Sequence, residues 1–379
     1  MVKSVRAGQA VIGGLSRFYV ILAIGVIVGC NDNPSGPKQA EWQYVAYFPA
    51  GFLNITALTV TSDEIFAAAE KNPVGLTQPP AFILAFKNNV IKPVYESPYK
   101  PSSFSSISNK DGSVWAAGFK EINGEWRPYV EILDGTAWRE LTVPSNIDAI
   151  NFSRVCVLGA DNACFQGNTG HGGQGIYSYD EGVWSETLRF NDSNPLYFCG
   201  TNAGRLFAYS ARYSPNDPKG YTYVSDDGGR TWQTEILTLP PTPYFIPPYR
   251  ISAIAPAGNG LALLGEAFTS QNPDAFSYQT IILRDDAPPG AGRYEVAFLA
   301  PHGPYFYGVG DMAFRSREDG RAVGGATSVL LRNGDWLMET AGMDWNPCHE
   351  TLTYGNGAYW VVCYVAGEGL GEFALFRAY

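Results

Sequence analysis

Short runs of β-branched and aromatic residues alternate along this chain with pairs of Asp, Asn and Gly. The stretch 107–141 shows the pattern most plainly. Ile107-Ser108 leads to Asp111-Gly112, and Val114-Trp115-Ala116-Ala117 follows. Then come Tyr129-Val130-Glu131-Ile132-Leu133, the pair Asp134-Gly135, and the returning run Thr136-Ala137-Trp138-Arg139-Glu140-Leu141. Such runs, bounded by Asp-Gly pairs, predict antiparallel hairpins. The second of these turns recurs at Asn88-Asn89, Asp134-Gly135, Glu181-Gly182, Gly228-Gly229, Asp285-Asp286 and Asn333-Gly334. The first recurs at Asp63-Glu64, Asp111-Gly112, Asp161-Asn162, Ala203-Gly204, Gly258-Asn259, Asp319-Gly320 and Asn356-Gly357.

A four-stranded unit repeating at about 47 residues is the period of a β-propeller blade. The recurring first turns predict seven blades and an all-β fold. The chain stops at Tyr379, just after the third strand of the last blade, Glu372-Phe373-Ala374-Leu375-Phe376. The run Glu41-Trp42-Gln43-Tyr44-Val45-Ala46-Tyr47-Phe48 reads as a fourth strand without a blade, and Trp42-Gln43 echoes Trp232-Gln233. Residues 41–48 are therefore expected to complete blade seven, which closes the ring and removes a free edge. Truncating residues 31–50 should then do far more damage than trimming a surface tail. Trp138, Trp184, Trp232 and Trp336 each follow the second turn closely. A large aromatic at that position is expected to fill the gap between neighbouring sheets.

Composition supports one large core. Of 379 residues, 45% are hydrophobic and 14% aromatic, which excludes disorder. Only 16% are charged, and 42 Gly and 26 Pro supply turns without a collagen period. Lys and Arg number 26 against 36 acids, a net charge of −10, which argues against a nucleic-acid partner. A single all-β domain over residues 41–379 accommodates this length.

The N-terminus reads as an address. Lys3, Arg6 and Arg17 precede an apolar run, residues 18–29, that is too short to span a bilayer. A basic start, a short apolar middle and small residues at its end predict a secretory signal peptide over residues 1–29. The run ends Ile27-Val28-Gly29-Cys30 and resembles the lipobox of bacterial lipoproteins. The resemblance implies cleavage before Cys30 and lipidation of its thiol. Residues 30–40 then form a polar tether, Asn31-Asp32-Asn33-Pro34-Ser35-Gly36-Pro37 at its core. Loss of the leader makes the mature body more acidic still. Membrane attachment is therefore expected from the acyl chains rather than from charge. By the same resemblance, Asn31 after the lipid Cys implies outer-membrane or cell-surface placement.

Ser225-Asp226-Asp227-Gly228-Gly229-Arg230-Thr231-Trp232 resembles the Asp box of sialidase-like propellers, S-x-D-x-G-x-T-W. Physically, Asp227 is suited to accept turn amides, Gly229 to adopt positive φ, and Trp232 to plug the sheet interface. In that family the box is a structural turn remote from the ligand site, so Ser225, Asp227, Gly229, Thr231 and Trp232 imply fold rather than activity. Resemblance to sialidases also implies a test for catalysis: an arginine triad, a Tyr/Glu nucleophile pair and an acid Asp. Arg205, Arg212 and Arg250 are the candidate arginines. Tyr249-Arg250-Ile251-Ser252 is similar to the family's Arg-Ile-Pro motif but lacks the Pro. Glu121, Glu125, Glu266 and Asp274 lie on candidate loops without a spacing that pairs them, and three histidines give a His-based triad little support.

With Cys30 lipidated, five cysteines remain. Cys156 with Cys164, and Cys348 with Cys363, flank first turns symmetrically. Each pair is expected to lie opposed across a hairpin, where an exported protein permits a disulfide; reduced buried thiols are the alternative. Cys199 is expected in the core of blade four. No Cys/His spacing suggests a metal, Ser214-Pro215-Asn216-Asp217-Pro218 lacks the ligand count of a calcium site, and no cofactor is expected.

In a four-stranded blade the first and second turns share one face of the disk. Loops between strands two and three, and between blades, share the other. The longer segments, 75–80, 121–126, 167–175, 212–220, 240–249 and 268–276, collect on this second face, and binding residues concentrate in such loops. Trp126, Tyr213, Tyr221, Tyr244, Phe245, Tyr249, Arg250 and Phe276 are the candidate contacts. Exposed aromatics there suit a sugar ring or a protein partner, and the prolines of 240–249 either stiffen a binding loop or brace blades four and five. The reading is a lipid-anchored envelope propeller acting as a non-catalytic binding or assembly module for a protein or glycan. A glycan-cleaving enzyme is the alternative.

Overall fold

Strands alone build the described part of the chain. The computed structural model describes residues 42–71, 79–190, 196–212, 219–238, 246–268, 277–301, 311–324, 327–333, 335–340, 345–347, 352–365 and 372–379. Blade one is Phe52–Val60, Ile65–Lys71, Ala81–Lys87 and Val90–Glu96. Blade two is Ser102–Lys110, Ser113–Ile122, Glu125–Asp134 and Ala137–Glu140. Blade three is Asn151–Gly159, Asn162–Asn168, Gln174–Asp180 and Val183–Phe190. Blade four is Leu196–Gly200, Leu206–Arg212, Lys219–Ser225 and Gln233–Ile236. Blade five is Ile246–Ala257, Gly260–Phe268, Ser277–Arg284 and Tyr294–Pro301. Blade six is Asp311–Ser316, Asp319–Gly324, Thr327–Arg332 and Asp335–Thr340. All pair antiparallel in sequence order.

Blade seven departs from this plan. Its first strand is split into Trp345–Pro347 and Thr353–Gly355, which both pair with Ala358–Val365. Glu372–Ala378 follows, and the fourth place is taken by Gln43–Tyr47 from the other end of the chain. The clasp register is Gln43↔Arg377, Tyr44↔Phe376, Ala46↔Leu375 and Tyr47↔Ala374, with a bulge between Tyr44 and Ala46. The Phe48 amide donates to the Phe373 carbonyl at 2.9 Å. The expected closure is thus present. First strands of successive blades touch around the ring, and Thr353–Gly355 touches both Phe52–Val60 and Asp311–Ser316. The fold is a seven-bladed β-propeller.

Burial explains the sequence pattern. Each middle strand is covered on both faces by neighbouring blades, so it reads as an unbroken apolar run rather than as alternation. Ile65–Ala69 and Val114–Gly118 are buried without interruption, whereas the outer strand Ala137–Glu140 is almost wholly exposed. The tryptophans occupy the seams as expected. Trp138 lies edge-on to Phe66 of blade one at 6.0 Å, and Trp336 lies 5.5 Å from Phe298 of blade five. Trp232 donates to Thr187 Oγ1 of blade three at 3.2 Å. Trp42 takes the same place for blade seven, 7% exposed beneath the Arg321 guanidinium of blade six at 5.1 Å.

The turn at 225–232 is closed by its own side chains. Asp227 accepts the Thr231 amide at 2.9 Å and the Thr231 and Ser225 hydroxyls at 2.5 and 2.8 Å, while Ser225 Oγ accepts the Gly229 amide at 2.9 Å. Burial pulls the Asp227 pKa upward, but these bonds outweigh it and hold the carboxyl below its usual range. Gly229 has φ +83° and faces Cys164 Sγ so closely that a Cβ would sit at 2.6 Å, which excludes any side chain there.

Several expectations need correction. The first turn of blade six falls at Arg317-Glu318, two residues before Asp319-Gly320, because Asp319 and Gly320 already pair with Ser316 and Phe314. Gly320 lies under the Phe314 ring, where a Cβ would come within 2.3 Å. Segments 121–126 and 167–175 are not long loops. Asn123-Gly124 turns the chain between Ile122 and Glu125, and a five-residue turn closed by Thr169 and Gly173 joins Asn168 to Gln174. Cys156 and Cys164 are opposed as the spacing predicted, yet both are free thiols. Their sulfurs are committed to blade four: Cys164 Sγ donates to the Gly228 carbonyl at 3.3 Å, and Cys156 Sγ packs on Gly200. Burial pushes the Cys156 thiol up to about 12, with Cys164 and Cys199 also raised by burial. Cys199 is partly buried against the core shared by blades four and five. Cys363 is fully buried opposite Pro347, and its expected partner Cys348 lies outside the described residues.

Candidate functional site

The first strands of all seven blades enclose a central cavity of about 590 Å³. Its lining comes from the C-terminal halves of these strands and extends to Asn202, Asn259 and Arg315, so it sits on the side of the first turns. Polar side chains in these inner strands stitch the ring. Asn109 Nδ2 donates to Thr59 Oγ1 at 2.6 Å and to the Val60 carbonyl at 2.9 Å. Ser106 and Ser108 accept the amides of Val155 and Val157 at 3.2 and 3.4 Å. Adjacent first strands run side by side without a β-ladder, so short polar side chains satisfy the facing backbone.

Charge in the cavity runs against the chain as a whole. Lys110, Arg154 and Arg315 line it, with Asp311 as the one carboxylate among the described lining residues. Asp311 is 9% exposed, and its two oxygens accept the amides of Met312 at 2.9 Å and Leu352 at 2.8 Å. It holds the split first strand of blade seven against blade six.

A buried Tyr/Glu cluster lies between blades one and two, outside the central cavity where the sialidase resemblance would place its pair. Glu131 is 2% exposed and accepts the Tyr95 and Tyr129 hydroxyls at 2.6 and 2.7 Å. Its Oε2 has no partner among the described residues. Burial raises the Glu131 pKa, the two phenols opposing it, and burial likewise raises both tyrosines. Beside this group Lys120 pairs with Glu140 and lies 4.0 Å over the Tyr99 ring. A second buried group joins blades four and five. Arg284, 0% exposed, holds Glu235 through two bonds of 2.8 and 2.7 Å, and Glu235 also accepts the Tyr294 hydroxyl and the Gly290 amide.

Of the three candidate arginines, Arg205 is a brace: it pairs with Asp226 at 2.5 Å and donates to the Asp286 and Ala287 carbonyls of blade five. The side chains of Arg212 and Arg250 lie outside the described residues. So do Cys30, Tyr213, Tyr244, Phe245 and Phe276, and the side chain of Tyr249; the backbone of Tyr249 and Arg250 belongs to the first strand of blade five. Trp126 begins the third strand of blade two, 47% exposed, with its ring edge-on to Phe119 at 4.6 Å. Tyr221 lies half-buried near the start of the third strand of blade four, opposite Ile236. Both are on the face expected for binding, in different blades. Sequence reasoning missed the cavity side, because the residues lining it are strand residues rather than members of long loops.

No family model matches the chain, and no curated protein matches it. Solved structures do. A prolyl endopeptidase aligns with TM-score 0.54 and 10% identity over 83% of this chain and 45% of its own. The polysaccharide lyase Uly1 aligns with TM-score 0.53 and 10% identity over 93% of this chain and 94% of its own. The β-propeller domain of the Trilobed protease from Pyrococcus furiosus aligns with TM-score 0.51 and 9% identity over 87% and 94%. This chain spans less than half of the endopeptidase and nearly the whole of the other two. The likeness is one of fold. The Pyrococcus domain is described as having an open velcro topology, whereas here Gln43–Tyr47 closes the ring.

Proposed function

We propose that the chain is an exported, lipid-anchored propeller that serves as a non-catalytic binding or assembly module for a protein or glycan partner. Cys30 carries the acyl anchor, residues 1–29 are removed, and the body sits at the outer membrane or cell surface. The partner docks on the face of the two–three loops through Trp126, Tyr213, Tyr221, Tyr244, Phe245, Tyr249, Arg250 and Phe276. Residues 225–232 are an Asp box that braces blades three and four.

One observation supports a binding role over a catalytic one: each buried acid among the described residues is bonded within the blades or their seams, Glu131 through one oxygen. Asp311 takes two backbone amides, Glu131 sits between blades one and two, and Glu235 is locked to Arg284. A hydrolytic site needs carboxylates facing a shared substrate.

The test is affinity capture from solubilised envelope with wild type and with Trp126, Tyr244, Phe245 and Tyr249 changed to Ala. Loss of a defined partner supports the reading; an unchanged partner set removes the proposed face. Glycan cleavage is the rival reading, suggested by the end-to-end alignment with a polysaccharide lyase. Release of oligosaccharide from envelope glycans by purified protein would establish it.

A further inference from the structure

The cavity makes a second proposal, independent of the partner face. The chain carries 36 acids against 26 Lys and Arg, yet the described lining reverses that balance with three cations and one acid. The acid, Asp311, is already occupied by two backbone amides. Lys110, at the end of the first strand of blade two, is half-buried and has no carboxylate partner among the described residues. An unpaired ammonium on a concave wall of an acidic protein concentrates anions there. Arg315 comes from blade six, its side chain 62% exposed and 3.6 Å from Asp319. Arg154 comes from blade three. The cations thus stand around the ring rather than along one side of it.

The neutral lining fits the same ligand. Ser106 and Ser108 accept amides from blade three, so each hydroxyl keeps its proton to donate. The wall is largely polar, and about 590 Å³ falls within the range of small-molecule sites. Asp63, Asp111 and Asp161 are exposed on the first turns and do not belong to the lining. Asp111 directly follows Lys110, and Asp319 lies 3.6 Å from Arg315, so both acids partly offset these cations.

We propose that this cavity binds a small hydrophilic polyanion bearing carboxylate or phosphate groups, with Lys110 and Arg315 as direct contacts. The probes are citrate, pyrophosphate and inorganic phosphate, with maltose as the neutral control, titrated calorimetrically into the purified full chain. One-to-one binding of citrate or pyrophosphate, weakening with salt, is expected, with no heat from maltose. Lys110→Ala and Arg315→Ala should each weaken that binding about tenfold, the loss of one charge-assisted hydrogen bond, while melting temperature and circular dichroism stay at wild-type values. Citrate alone would define a carboxylate site, and pyrophosphate alone a phosphate site. Silence with every anion at millimolar concentration, or binding unchanged when both residues are replaced, overturns the proposal. Neither result bears on the partner capture, which reads the opposite face.

Discussion

The seam between blades one and two and the seam between blades four and five solve one problem in opposite ways. In both, a polar residue on the third strand of one blade meets the fourth strand of the blade before it. At the first seam the third-strand residue is Glu131, and it meets Tyr95; two phenols donate to one oxygen and leave the other without a described partner. Burial dominates, and its pKa rises. At the second seam the third-strand residue is Arg284, and it meets Glu235. Burial again opposes ionisation, but the arginine fork, Tyr294 and the Gly290 amide outweigh it, and the Glu235 pKa falls. Arg284 stands where blades two and six carry Leu133 and Leu331, opposite the seam aromatics Tyr294, Trp138 and Trp336. The propeller therefore tolerates either leucine or a fully satisfied ion pair there. What it requires is that nothing charged be left unpaired.

The largest expected effect comes from breaking the satisfied pair. Arg284→Leu alone leaves Glu235 buried without its counter-ion and should cost about 3–5 kcal/mol in denaturant unfolding. Arg284→Leu combined with Glu235→Gln should recover most of that loss, because it removes the buried uncompensated charge and puts leucine where blades two and six carry it. If the double variant is as unstable as the single one, the pair is irreplaceable and the equivalence of the seams fails.

The pH response separates the two carboxyls. Glu235 has a lowered folded pKa, so its stabilisation is present above the unfolded value, about 4.3, and is lost as pH falls through the folded one. Glu131 has a raised folded pKa, so the fold prefers it protonated, and its contribution declines as pH rises from the unfolded value to the folded one. Melting curves between pH 4 and pH 8 should show Glu131→Gln gaining on wild type as pH rises. Over the same range Glu235→Gln should show its smallest deficit at the acid end. Parallel curves for Glu131→Gln and wild type would contradict the raised pKa. The smallest effect is expected from Tyr95→Phe, which removes one of the two phenol donors and should cost about 1 kcal/mol by the same melts. A larger loss would mean that Tyr95 and Tyr129 act as one coupled unit.

Much of this architecture was legible along the chain. The spacing of Asp/Gly pairs marked the blades, the stranded start at Trp42 and the missing last strand foretold the clasp, and Trp138, Trp184, Trp232 and Trp336 after second turns announced the seams. Those features are local or periodic, and a repeat places them wherever it occurs. The details that failed were set by contacts with a neighbouring blade. Cys156 and Cys164 have the register of a disulfide, yet their sulfurs are used against Gly200 and Gly228. Asp319-Gly320 has turn composition, yet the Phe314 ring draws it into the strand.

Amino-acid order alone determined the number of blades, their antiparallel build and the ring closure, because hydrophobic periodicity and turn chemistry act within one repeat. Only the tertiary structure decided which charges meet. Glu131, Glu235, Arg284 and Lys110 look alike in a linear reading, as isolated ionisable residues on strands. Packing seven sheets around an axis makes the first a buried acid, the next two an ion pair and the last a cation on a cavity wall with no carboxylate partner among the described residues. Desolvation and partner distance, which fix those states, exist only once the blades are in place.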